Sequence, residues 1–371
     1  YDSASRITSR ALGNTRTQAF TYNPWNVQGG RLQKITTGTL QNLTYAYDFA
    51  GNVLGITNTI AAETNTYGYD PLDRLTSWNL NGTIESYSYE SATGNLDIKA
   101  GVDLNYTDAA HKHAVTSAGT NTYTYDANGN QTTRVIGAQT YTLGYDAENR
   151  LVRVTGPALT ASFEYDGDGR RVKSTVNGVL TTFVGAHYEI TGTTATKYYF
   201  AGAQRVAMRA GTTLSYLLSD HLDSTSITTN SSGALVSELR YKPWGEVRYS
   251  SGTTSTKYQY TGQYSHTADF GLMYYNARWY DPALGRFAQA DSIVPPGVQG
   301  LDRYAYVMNN PLRYTDPTGH RNCEEDGYNC PGDESPKKPI FYSFNGGWND
   351  PKYSTWNLEE DSMWNISDHS I

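Results

Sequence analysis

Cysteine is almost absent from this chain of 371 residues: the only two, Cys323 and Cys330, both fall in the last 51. With His320 the only histidine near them, they fall short of the four ligands of a structural zinc site. Six residues separate them, which leaves a small disulfide loop in an oxidising compartment or two free thiols as open readings. No run of 18 apolar residues occurs, so no segment is long enough to span a bilayer. The opening residues carry neither a basic region nor an apolar leader core. They lie inside a repeat, which suggests the C-terminal piece of a longer polypeptide, so the missing leader says nothing about export. Apolar content is low, at 38% hydrophobic residues with a mean hydropathy of −0.60. That argues against a compact globular core and for a wide curved sheet with one polar face. No stretch of the repeat region sustains the i, i+3, i+4, i+7 pattern of an amphipathic helix, so the fold class is all-β.

What the chain has in abundance is tyrosine, 32 residues against 9 Phe and 4 Met. Eight of them precede a small polar residue: Tyr1-Asp2, Tyr22-Asn23, Tyr47-Asp48, Tyr69-Asp70, Tyr89-Glu90, Tyr125-Asp126, Tyr145-Asp146 and Tyr165-Asp166. The steps are 21, 25, 22, 20, 36, 20 and 20 residues, so a single step breaks the rhythm. A period in the twenties marks a repeat architecture, in which each unit buries its apolar face against the next. Within one unit, Gln139-Thr-Tyr-Thr-Leu143 has strand composition, an Asp/Asn-rich tetrapeptide follows, and Leu151-Val-Arg-Val154 alternates between two faces. Each unit is therefore a β-hairpin, with Asn128-Gly129 and Gly167-Asp168-Gly169 as turns. A tyrosine at one place per hairpin forms a ladder along the sheet, its hydroxyl reaching a polar group of the neighbouring unit.

Four regions follow. Residues 1–175 are the tyrosine hairpins, 176–260 a looser β-meander continuing the strip, and 261–320 a dense block of aromatics and proline turns. Residues 321–371 hold ten acids and four bases, a net −6, while the other 320 residues have 26 acids and 25 bases. The middle block reads as an irregular cap, the atypical end unit a solenoid needs.

The block carries Ala277-Arg-Trp-Tyr-Asp-Pro-Ala-Leu-Gly-Arg-Phe287, Leu301-Asp-Arg-Tyr-Ala-Tyr-Val-Met-Asn-Asn-Pro-Leu312 and Asp316-Pro-Thr-Gly319. Upstream stand Asp220-His-Leu-Asp-Ser-Thr225 and Tyr241-Lys-Pro-Trp-Gly-Glu246. Together with the Tyr-Asp units these resemble the Rhs/YD-repeat proteins, and residues 220–320 resemble their Rhs repeat-associated core. The resemblance covers residues 1–320. It implies a β-strip that curls into a shell, complete or partial, ended by the core as an inward plug, an arrangement teneurins and the shell of insecticidal toxin complexes share. It further implies a variable C-terminal segment held as cargo, with a cognate immunity protein or delivery machinery as partner, and a secreted or cell-surface location. In several members the core cuts its own chain after the Asp-Pro-x-Gly motif, in the manner of an aspartic protease.

Carried onto this sequence, that chemistry falls on Asp291 and Asp316, with cleavage between His320 and Arg321 and Arg286 either orienting a carboxylate or bracing the cap. Such a dyad needs two carboxyl groups near enough to share a proton. The sequence departs from the family at Ser292, where proline is usual, and at His320, where leucine is usual. An Asp before Pro is also a common turn starter, so Asp316 as a turn cap alone stays open. Other clusters carry no chemistry. Asp126-Ala-Asn-Gly-Asn130 lacks the glycine and bidentate glutamate of a calcium loop. Asp220, His221 and Ser224 point to different faces of a strand, and His111 with His113 lack a third ligand. No cofactor and no metal site is expected, and the acidic tail opposes nucleic acid. Three functions remain: an encapsulating polymorphic-toxin component, a teneurin-like structural or adhesive surface protein, and a self-processing protease domain acting only on its own chain.

Overall fold

The computed structural model describes residues 1–294 and 298–320, together with the strand Cys323–Glu324. Arg321, Cys330 and the side chain of Cys323 lie outside the described residues, and with them the disulfide reading. The chain is nearly all β. A 25-stranded antiparallel sheet runs through to Val247–Gly252 as one meander. Among the described residues the single α-turn, Thr267–Phe270, lies beyond it.

The repeat turns show why the signature reads as it does. In the turn after Tyr145, Asp146 Oδ1 accepts the amides of Glu148 and Arg150, and its Oδ2 accepts Arg150 Nε at 2.8 Å. The same five-residue lock recurs at Asp70–Arg74, Asp126–Asn130 and Asp166–Arg170. It returns at Asp220–Ser224, inside the stretch that reads as a looser meander. These are Asx-type turns of five residues rather than two-residue hairpin turns. Gly129, at φ +83°, and Gly169, at φ +78°, supply the left-handed position of theirs.

The repeat tyrosines from Tyr22 to Tyr165 stand where the hairpin register slips, as at Ala46/Tyr47, Gly68/Tyr69, Thr124/Tyr125, Gly144/Tyr145 and Glu164/Tyr165. A bulge bends its strand and raises the local twist. One on the same rim of nearly every hairpin curls the strip. The ladder is completed by backbone: the hydroxyls of Tyr69, Tyr125 and Tyr165 donate to the carbonyls of Val53, Val115 and Leu151, at 2.8–2.9 Å. The irregular 36-residue step conceals Tyr106, whose hydroxyl donates to Leu96 in the same way.

The curl brings the first hairpins against the last. Asn14 Nδ2 donates to Thr229 Oγ1 and Gln41 Nε2 to the Ser219 carbonyl, both at 2.9 Å. Glu63 is gripped by Arg240 and Arg248, both at 2.5 Å, and Lys242 meets Glu85. So the strip meets itself within this length, and residues of the 261–320 block pack into its interior. Tyr45, Tyr47, Leu75 and Trp78 of the sheet share one buried cluster with Tyr275, Tyr280 and Tyr306 of the 261–320 block. The block is an inward plug with a four-stranded sheet of its own, from Tyr264–His266 to Arg286–Phe287. The low apolar content therefore misleads: a core exists, but it is aromatic and lies between strip and plug.

Plug and strip join along the rim that carries the Asp turns. Asn310 Nδ2 donates to Asn52 Oδ1 at 2.7 Å, Tyr304 Oη to the Gly129 carbonyl at 2.8 Å, and Gln289 Nε2 to the Asn149 carbonyl at 2.6 Å. On the same rim, His221 Nε2 lies 3.0 Å from the Leu312 carbonyl. Burial pushes the His221 imidazole down to about 4. The folded chain thus holds this proton less tightly than the unfolded chain, whose histidine titrates near 6.5. The stabilisation is complete above pH 6.5 and is lost as pH falls toward about 4, by about 3 kcal/mol. Asp220, raised to about 6 by its burial, acts in the opposite sense over the same range, so the readout is a difference. Urea denaturation of His221→Gln should show less loss between pH 6.5 and 4 than the wild-type chain, and parallel curves would refute the assignment.

Candidate functional site

The plug places Asp291 and Asp316 together, although they come from separate turns 25 residues apart. Asp291 follows the strand Arg286–Phe287; its amide donates to the Arg303 carbonyl at 2.9 Å. Asp316 ends the short strand Tyr314–Thr315 and opens the turn through Pro317 to His320. Its Oδ1 accepts the amides of Gly319 at 2.7 Å and His320 at 3.0 Å. Gly319 is at φ +81°, and a Cβ there would stand 2.2 Å from the Tyr275 carbonyl oxygen. Only glycine lets this turn lie so close to the Leu272–Tyr275 strand.

Between the two carboxylates stands Arg278. Its Nη2 is 2.8 Å from Asp291 Oδ2 and 3.2 Å from Asp316 Oδ2, so those oxygens are within about 6 Å of each other. Both aspartates and the arginine are buried. The guanidinium lies 3.6 Å over the Phe287 ring, its Nη1 donates to the Arg303 carbonyl and its Nε to the Gly319 carbonyl. Burial lowers the pKa of Arg278, and the charges of Asp316 and Asp291 work against that. His320 closes the group, with its Nδ1 2.7 Å from Asp291 Oδ1. The peptide that follows His320 thus begins beside both carboxylates, but Arg321 lies outside the described residues.

Arg286 is not part of this cluster. Its guanidinium pairs with Asp302 at 2.7 Å and donates to Tyr106 Oη at 2.8 Å, bracing plug against strip. The sequence contains both arginines in one motif and offers no sign of which one reaches the aspartates. Strand pairing decides it: Arg286 is opposite Asp281, while Arg278 is opposite Tyr275, next to the Gly319 turn. Arg286→Leu strands the buried Asp302 carboxylate and is expected to cost about 3–5 kcal/mol by urea denaturation; a loss below about 1 kcal/mol would contradict the bracing role.

A hollow of about 930 Å³ opens beside the cluster, lined among others by Arg171, Arg205, Arg278, Ser292, Thr318 and His320. Among the described residues, no group of three or more His, Cys, Asp or Glu is placed to hold a metal ion. His111 pairs with Asp108 at 2.9 Å, and His113 Nδ1 is 2.6 Å from Asn95 Oδ1. Among the described residues, no helix is long and apolar enough to cross a membrane.

A strip of bulged Tyr-Asp hairpins wrapped around an aromatic plug can be compared directly with known shells. Over residues 46–312 the chain matches the Teneurin YD-shell family. It belongs to that family. Among curated relatives of this YD-shell chain, the tRNA nuclease WapA of Bacillus subtilis is 36% identical over 99 residues, 25% of this chain and 4% of that protein. The toxin subunit YenC2 of Yersinia entomophaga is 36% identical over 102 residues, 26% and 10% respectively. Among solved structures, TcdB2-TccC3-Cdc42 aligns with a TM-score of 0.68 at 21% identity, over 86% of this chain and 19% of that one. The Photorhabdus luminescens Tc holotoxin pore gives 0.68 at 22% identity, over 86% and 18%. The two solved structures share the fold of this chain over 86% of its length, and the chain spans a small fraction of every relative named.

Proposed function

We propose that this chain is the closing part of a YD-shell of polymorphic-toxin type, which encloses residues 321–371 and frees them by hydrolysis of the 320–321 peptide. The observation that carries this reading is the buried meeting of Asp291 and Asp316 on Arg278, with the His320 amide seated 3.0 Å from Asp316 Oδ1. In the reaction, Asp291 takes a proton from water as its oxygen adds to the His320 carbonyl carbon. That proton, shared between the two carboxyl groups, passes from Asp316 to the leaving nitrogen as the carbon–nitrogen bond breaks, giving a His320 carboxylic acid and a new amine at Arg321, to which the acid then yields its proton. The partners are then the chain's own acidic segment, an immunity protein that neutralises it, and the machinery that delivers the shell. The names of the related toxin subunits support a secreted product. Intact mass of the freshly made protein tests the reading: a 320-residue and a 51-residue product are expected, and a chain that stays whole on prolonged incubation counts against it.

A second reading has its own support. An arginine shared by two buried carboxylates is also a structural ion cluster, which would brace a teneurin-like structural or adhesive surface protein in which nothing is cut. Under that reading the Asp316 turn is only an anchor for the last plug strand.

A further inference from the structure

We infer that His320 restrains its own hydrolysis, its imidazole taking the place on Asp291 that the attacking water would need. This rests on the self-cleavage reading above. The Asp291 carboxylate is 3% exposed, and both of its oxygens are engaged. Oδ2 meets Arg278 at 2.8 Å; Oδ1 takes the Ile293 amide at 2.9 Å and His320 Nδ1 at 2.7 Å. Asp316 is engaged as fully, by Arg278 on Oδ2 and by the turn amides on Oδ1.

These partners differ in how readily they leave. The Ile293 amide belongs to the backbone. Arg278 is buried and tied to Gly319 and Arg303 as well. The His320 side chain is 27% exposed and lines the hollow of about 930 Å³, so rotation about its own side-chain bonds can carry it off Oδ1. Water can then reach Asp291 from the hollow, give its proton to the carboxylate and add to the His320 carbonyl carbon. While the ring stays, the water has no base. A hydrogen bond to a charged partner is worth about 1.5–3 kcal/mol, so its removal is expected to accelerate hydrolysis about tenfold or more.

The test is the first-order rate of product formation, followed by intact mass on the full chain from cell-free synthesis. His320→Leu keeps much of the bulk without a donor, His320→Gln keeps a side-chain donor, and each is paired with an Asp316→Asn control that should not cut. The Leu variant should cut about tenfold faster than wild type or more, and the Gln variant within about threefold of it. If the Leu variant is no faster while both cut, the restraint is refuted and self-cleavage stands. If Leu and Gln accelerate alike, loosened packing accounts for the gain and the restraint is again refuted. If no variant cuts, the self-cleavage reading falls and the restraint falls with it.

Discussion

Asp291→Asn and Asp316→Asn are each expected to leave the 371-residue chain whole under conditions where the wild type yields two products. A carboxamide can neither accept water's proton nor hand one to the leaving nitrogen, so one substitution disables the pair. Loss of a positioned acid or base typically costs about 10²–10⁴ in rate. The two variants should differ in what else they disturb. Asp316→Asn retains an oxygen that can accept the amides of Gly319 and His320, so the turn should stay seated. Asp291→Asn retains an acceptor for the Ile293 amide but gives Arg278 one fewer charge. Both variants should fold with Arg278 still facing one carboxylate, and circular dichroism beside the mass measurement separates lost chemistry from lost fold. Cleavage at an undiminished rate in either variant would remove that aspartate from the reaction.

Trp279→Ala should destabilise the plug by about 3–5 kcal/mol, measured by urea denaturation. Trp279 is 1% exposed, and its indole sits 4.8 Å from the Phe163 ring of the strip and 5.2 and 5.5 Å from Tyr274 and Phe270. Truncation would open a cavity where plug and sheet meet, at a place held by strand pairing on both sides, so the walls can relax little. The substitution also removes one wall of the aromatic cage around Arg171, whose guanidinium lies 4.1 Å from the Tyr274 ring and 4.5 Å from that of Tyr264. Phe49, fully exposed at a turn tip, is the control: Phe49→Ser should change stability by less than about 0.5 kcal/mol. A loss below about 1 kcal/mol at Trp279 would mean that the plug is not packed as described.

The local elements of the fold were legible because they depend on neighbours in sequence. Strand, Asp turn and strand repeat within about twenty residues, so the all-β class and the hairpin unit follow from spacing and turn chemistry alone. The burial of Trp279, Tyr280, Phe287, Tyr304 and Tyr306 was legible too, since so many aromatics among proline turns have no other way out of water. Tyr106 escaped notice because Thr107 stands where an acid usually follows, although its hydroxyl makes the same bond to the preceding unit. Asn52 and Arg74 occupy equivalent turn slots but serve different ends. Asn52 accepts from Asn310 of the plug, while Arg74 lies 4.0 Å over Tyr89 of the next repeat.

By itself the sequence determined the repeat, the strand content and the dense aromatic block, and its resemblance to the Rhs/YD-repeat proteins implied the inward plug and pointed to Asp291 and Asp316. Only the tertiary structure decided that the strip meets itself and that Arg278 instead of Arg286 stands between the carboxylates. The reason is physical. A hairpin is specified by contacts within one unit, whereas the curl sums small twists from many bulges. The choice between two arginines eight residues apart depends on which strand edge faces the Gly319 turn. Neither quantity is written in any one segment. Each exists only once strands from opposite ends of the chain are side by side.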